Sequence, residues 1–175
     1  ALHDPVCGLG MGETAELLAR EFDLGRELQD GFALLSHQRA VAARERLREE
    51  IVPVFPPPAC ELVRDDVGPR EGQTLEQLAR LRPCFDRRNG TVTVGNACPV
   101  TDGAVALLVG GEQAARDWPV PPLGRVRAWA VAGLEPRRMG LGPVHAIARV
   151  LDQTGLSLAD LELFDPSSGS SVLGG

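Results

Sequence analysis

Apolar residues near the start of the chain recur at helical spacing. Ala15, Leu18, Ala19 and Phe22 fall on one face of residues 13–22, behind Glu13 and Thr14, and predict an amphipathic helix with an acidic, hydroxyl-bearing entry. A longer helix is expected over residues 25–50, with Leu28, Phe32, Leu35, Ala43 and Leu47 as its apolar stripe and the mixed charges of residues 44–50 facing water. Residues 51–55 read as a short extended segment, and Pro53, which has no N–H to give a ladder, places it at an edge. Three consecutive prolines at 56–58 force a stiff, non-helical excursion, and the Pro, Gly and charge-rich stretch up to Gly72 reads as loop. Thr74 can cap a short helix running to Leu81, with Glu71 and Glu76 near its positive end and Pro83 as its stop.

The second half changes period. Residues 91–94 are β-branched, Gly95 and Asn96 supply a turn, and residues 104–109 form a second apolar run closed by Gly110 and Gly111. A short helix is expected over residues 112–117, a rigid connector over 118–122, and a strand with one partly exposed face over 125–132. Pro143 starts a helix carrying Ala146, Ile147, Val150 and Leu151, which Gly155 closes, and residues 157–160 form a capped turn. Strands alternating with helices indicate an α/β fold.

Composition narrows the chemistry. The 175 residues are 43% hydrophobic and carry a net charge of -6 with 4% aromatic content, so there is neither a basic stripe nor a stacking platform for nucleic acid. All 18 cationic residues are arginine. The cysteines at 7, 60, 84 and 98 form no C-x-x-C pair and lie near no histidine cluster, which leaves no metal or redox motif and suits a reduced, cytoplasmic setting. No apolar run approaches the roughly 20 residues of a membrane span, and the first residues show no signal-peptide pattern.

Gly8, Gly10 and Gly12 invite comparison with a dinucleotide loop, but the spacing is G-x-G-x-G and no strand precedes it. The same region, DPVCGLGMGETAE over residues 4–16, resembles a segment of the thiolases, the enzymes that make and cleave ketoacyl-CoA. So do RELQDGFALLSHQRA at 26–40, EIVPV at 50–54, TLEQLARLRPCF at 74–85, TVTVGNACPVTDGAVALLV at 91–109 and RMGLGPV at 138–144. So many motifs in one order identify the chain as similar to the central part of a thiolase of the β-oxidation type.

That resemblance implies a partial thiolase fold: a largely helical loop domain over residues 1–90, strands and a helix of an incomplete N-terminal αβαβα layer over 91–165, and a flexible tail over 166–175. It implies coenzyme A thioesters as substrate, no separate cofactor, and homo- or hetero-oligomers with thiolase subunits. Position by position, Leu2 and Met11 border the pantetheine channel and Arg70 lies along the nucleotide end of CoA. Phe85, Val94, Val100 and Met139 line the passage for pantetheine and acyl chain, although these four also fit plain core packing. Cys98 stands where the family has a pantetheine-bonding Ser, and a thiol is the poorer donor. Gly10 stands where some thiolases have a His beside the Met.

The resemblance assigns no catalytic residue to this chain. It places the nucleophilic Cys upstream of Ala1, and a "GHP" His with a second catalytic Cys downstream of Gly175. The four cysteines here align with neither catalytic one, and His37 and His145 read as surface or structural residues. Ser167 and Ser170 replace the Asn or His and the Phe of the family's "NEAFA" or "HEAFA". The chain alone is therefore expected to lack catalysis, either as a fragment of an acyl-CoA acyltransferase or as a non-catalytic CoA-binding or thiolase-partner protein.

Overall fold

The computed structural model describes residues 3–165, which form two compact units. One comprises the chain through Pro99 together with Leu134–Gly140; the other comprises Val100–Gly133 with Leu141–Asp165.

In the first unit, α1 (Met11–Glu21) begins two residues before the expected start, because the Glu13 carboxylate accepts the Gly10 N–H at 2.6 Å and secures the first turn. It buries Thr14, Ala15, Glu16, Leu18 and Ala19. The expected single helix over 25–50 is two, α2 (Arg26–Ala42) and α3 (Arg44–Leu47). The charged residues after Ala42 have no apolar stripe to bury, and Leu47 itself is exposed.

The buried face of α2 also differs from the expected stripe. Gln29, Asp30 and Ala33 are buried, while Leu28 is 63% exposed and Leu35 is exposed as well. The reason is what the helix meets: the Thr91 hydroxyl and the Asn96 amide, which call for hydrogen-bonding groups rather than alkyl ones.

Helix α4 (Leu75–Ala79) forms where expected, with the Thr74 hydroxyl accepting the Gln77 N–H at 3.3 Å and the Gln77 side chain accepting the Thr74 N–H at 3.2 Å. Leu78 is fully buried and α4 packs on α2. Arg26 of α2 donates to the Leu78 and Leu81 carbonyls at 2.6 and 3.1 Å and ties the end of α4 to α2.

The expected strands do not build ladders among the described residues. Pairing there consists of three isolated antiparallel bridges, His3 with Gly10, Val54 with Val63, and Pro83 with Thr93. The third is extended by a bond from the Cys84 N–H to the Val92 carbonyl at 2.9 Å, and it lays residues 91–96 beside the segment that follows α4. Gly95 is needed at this crossing, since a Cβ there would stand 2.4 Å from Leu81 Cδ1 and 2.7 Å from Leu78 Cδ2.

The second unit holds α5 (Glu112–Asp117) and α6 (Gly142–Thr154), both close to expectation. Pro143 sits in the first turn of α6, and Gly155 closes it with a left-handed φ of 67° and an N–H bond to the Leu151 carbonyl. The Arg149 guanidinium donates to the Val131 carbonyl. Residues 104–109 and 125–132, expected as strands, have no ladder partner among the described residues, and Val105, Leu107, Leu108, Val109, Val126 and Trp129 are exposed. An isolated strand has nothing to satisfy its backbone groups but water. Among the described residues no helix is long and apolar enough to cross a membrane.

Candidate functional site

The best-defined feature of the first unit is a buried polar cluster under the turn at residues 93–98. Glu16 of α1 accepts the Thr91 N–H at 3.0 Å and the Val92 N–H at 2.9 Å. Gln29 of α2 donates to the Thr91 hydroxyl at 2.8 Å. Asn96 uses its whole amide: Oδ1 accepts the Thr93 N–H at 2.7 Å, and Nδ2 donates to Asp30 Oδ1 at 2.9 Å and to the Thr91 carbonyl at 3.0 Å. Asp30 is held from its other oxygen by Arg26 Nε at 2.7 Å. Thr93 and Asn96 are buried to 0% and 2% exposure, whereas Val94 is 72% exposed and Cys98 is exposed. Two helices therefore lock the base of the turn and leave Val94 and Cys98 facing outward. Sequence reasoning missed Glu16, Gln29, Asp30 and Asn96; a carboxylate, an amide and a second carboxylate inside helical stretches, opposite a Gly-Asn turn, was the available signal.

The remaining expected site residues are placed as follows. Met11 opens α1 and is half-buried. Phe85 is half-exposed with its ring over Gly12, the next residue, so these two expected walls lie side by side. The Phe85 segment is fixed by the Pro83–Thr93 bridge and by the following turn, where Asp86 Oδ1 accepts the Arg88 and Asn89 N–H groups at 3.1 Å each. Those backbone donors, Asn89 first, hold the Asp86 carboxyl below the usual aspartate range, with the Arg20 partner adding to the effect. Met139, half-buried, follows Arg138, whose guanidinium pairs with Glu21 at the end of α1.

Arg70 is exposed, and its backbone N–H donates to His37 Nδ1 at 3.2 Å. Val100 is exposed and belongs to the second unit. Leu2 lies outside the described residues, as do Ser167 and Ser170.

All four cysteines are free thiols. The Cys98 Sγ points to the Pro99 carbonyl at 3.5 Å, and His37 is committed to Arg70. No group of three or more His, Cys, Asp or Glu arranged to hold a metal occurs among the described residues. Met11 and Phe85 therefore lie side by side, Val94 and Cys98 face outward from the turn, and Arg70 is exposed beside His37.

Comparison with known proteins gives the family. The model of the thiolase N-terminal domain matches residues 1–113 and that of the thiolase C-terminal domain matches residues 120–169. The chain belongs to the thiolase family. It is 43% identical over 161 residues to a 3-ketoacyl-CoA thiolase of Yersinia pestis (strain Pestoides F), a match covering 90% of this chain and 37% of that one. Among solved structures it is similar to the Bacillus anthracis acetyl-CoA acetyltransferase, with a TM-score of 0.89 at 36% identity over 98% of this chain and 44% of the other. It is also similar to human mitochondrial 3-ketoacyl-CoA thiolase in complex with CoA, with a TM-score of 0.84 at 40% identity over 93% of this chain and 41% of the other. These likenesses make the fold an α/β thiolase fold, of which the chain spans less than half the length of the relatives it matches.

Proposed function

We propose that this chain supplies part of the coenzyme A surface of a thiolase, an acyltransferase acting on acyl-CoA in fatty-acid β-oxidation or in acetoacetyl-CoA formation. The observation that carries the reading is the turn at 93–98, whose base is buried and hydrogen-bonded to two helices while Val94 and Cys98 face out. Phe85 and Met11 present neighbouring apolar surface, and Met139 is assigned to the same passage. The similarity to a human thiolase solved with CoA supports this ligand. Arg70 is assigned to the nucleotide end, where a guanidinium can pair with phosphate or stack on adenine. Cys98 binds pantetheine more weakly than a hydroxyl in its place.

The 175-residue chain by itself binds CoA without turning over acyl-CoA, because none of its four cysteines aligns with either catalytic cysteine of the family. Calorimetric titration with CoA tests the reading, together with a thiolysis assay. Binding that Arg70→Ala weakens by about tenfold, with no turnover, is expected. Absence of CoA binding overturns it.

A second reading, a non-catalytic subunit that joins other thiolase chains, is favoured by residues 104–109. Val105, Leu107, Leu108 and Val109 are exposed there in an extended segment without a ladder partner among the described residues. Sedimentation of the chain alone and mixed with an intact thiolase distinguishes homo-oligomers, hetero-oligomers and a monomer.

A further inference from the structure

We infer that Asn96 is the positioning residue for the ligand-facing turn, acting through the hydrogen bond it donates to Asp30 rather than by touching ligand; this rests on the reading of the chain as a CoA-binding surface. Three observations converge. Asn96 is 2% exposed, so it cannot reach a ligand, yet both of its donor positions and its acceptor are used. Its neighbours Val94 and Cys98, two residues to either side, are the exposed ones. Its donor contact is with a carboxylate anchored elsewhere: Asp30 is clamped by Arg26, and Arg26 also holds the Leu78 and Leu81 carbonyls ahead of Phe85. Asn96 thus ties the turn bearing Val94 and Cys98 to the same guanidinium that fixes the approach to Phe85.

The charged groups around Asn96 make its amide irreplaceable by a carboxylate. Asp30 and Arg26 face it from α2, and Glu16 of α1 holds the Thr91 and Val92 amides beside it. An Asn96→Asp substitution keeps an acceptor for the Thr93 N–H, loses both donors, and sets two carboxylates against each other. Adding Asp30→Asn reverses the direction of the bond between 30 and 96, with the amide now at position 30 and the carboxylate at position 96, and leaves the Thr91 carbonyl without its donor. Arg26 keeps its two carbonyl partners in that double variant.

The test measures binding of CoA, pantetheine and the nucleotide half of CoA (adenosine bisphosphate) by NMR titration of the 175-residue chain, with thermal melts to monitor folding. N96D is expected to weaken CoA and pantetheine by about tenfold or more while leaving the nucleotide half within about twofold, and the N96D/D30N pair to recover part of the loss. A merely structural role would weaken all three ligands together, and that result overturns the inference. So does unchanged CoA binding by folded N96D. Should N96D fail to fold, the double variant decides: recovered pantetheine binding supports the inference, and a double variant that fails to fold or to recover refutes it. Failure of the wild-type chain to bind CoA sinks the CoA reading itself, and this inference with it.

Discussion

The ring of Phe85 lies directly over Gly12, so that a Cβ at position 12 would stand 2.0 Å from Phe85 Cζ. The contact joins the first turn of α1 to the segment that follows α4, and only a residue without a side chain permits it. Replacing Gly12 by Ala ordinarily stabilises a helix by about 0.5–1 kcal/mol. Here the ring must swing away first, and its half-exposed position allows that. We expect a melting temperature near that of wild type and CoA binding weakened about fivefold, from loss of the apolar wall. Unaltered affinity in calorimetry would show that the ring takes no part in the passage.

Glu16 offers a sharper stability test. Its carboxylate accepts two backbone N–H groups and approaches the Thr91 hydroxyl in a buried site. Glu16→Gln turns one acceptor oxygen into a donor facing those N–H groups, and a buried donor left unpaired costs about 1–3 kcal/mol. Urea denaturation should show a loss of that size, and slowed-exchange protection of the Thr91 and Val92 amides should disappear.

Thr74 caps α4, and the reciprocal bond with Gln77 completes the box. Thr74→Ala should destabilise by about 1 kcal/mol, whereas Thr74→Ser should be nearly neutral. A Thr74→Ala variant as stable as wild type in urea would mean that burial of Leu78 alone holds the helix.

Acid should loosen the turns before it unfolds the rest. Asp4 is held below the usual aspartate range by the Cys7 and Val6 N–H groups, Asp86 by those of Asn89 and Arg88, and Asp65 by the Arg48 guanidinium. A folded-state value below the unfolded one means stability that is fully present above the unfolded value of about 3.9 and is lost as the pH falls through the folded value. The urea midpoint should therefore be level at neutral pH and drop below about pH 4, and Asp86→Asn should flatten part of that drop. A midpoint independent of pH in this range contradicts the assignment.

Local signals in the chain carried well where one element decides its own form. Thr74 before Leu75, Pro143 in the first turn of α6 and Gly155 after Thr154 are read from neighbouring residues, because caps and stops are satisfied within a turn of backbone. Motif resemblance likewise carried the family, through residues spread from Asp4 to Val144. It also assigned Cys98 and Val94 to the ligand passage, although it could not tell an exposed wall from a core for Phe85, Val94, Val100 and Met139.

Periodicity misled on α2 because the partner surface is polar. Leu28 and Leu35 looked like the buried stripe, yet Gln29 and Asp30 go inside to meet Thr91 and Asn96. The runs at 104–109 and 125–132 have strand composition, but a strand exists only when another backbone takes its hydrogen bonds. The amino-acid sequence alone thus determined the family, the helix boundaries set by caps, and the residue types of the proposed ligand surface. Tertiary structure alone decided which face of α2 is buried and that Glu16, Asp30 and Asn96 lock one turn. Those bonds join residues more than sixty positions apart, and no local pattern records which distant donor a buried acceptor will meet.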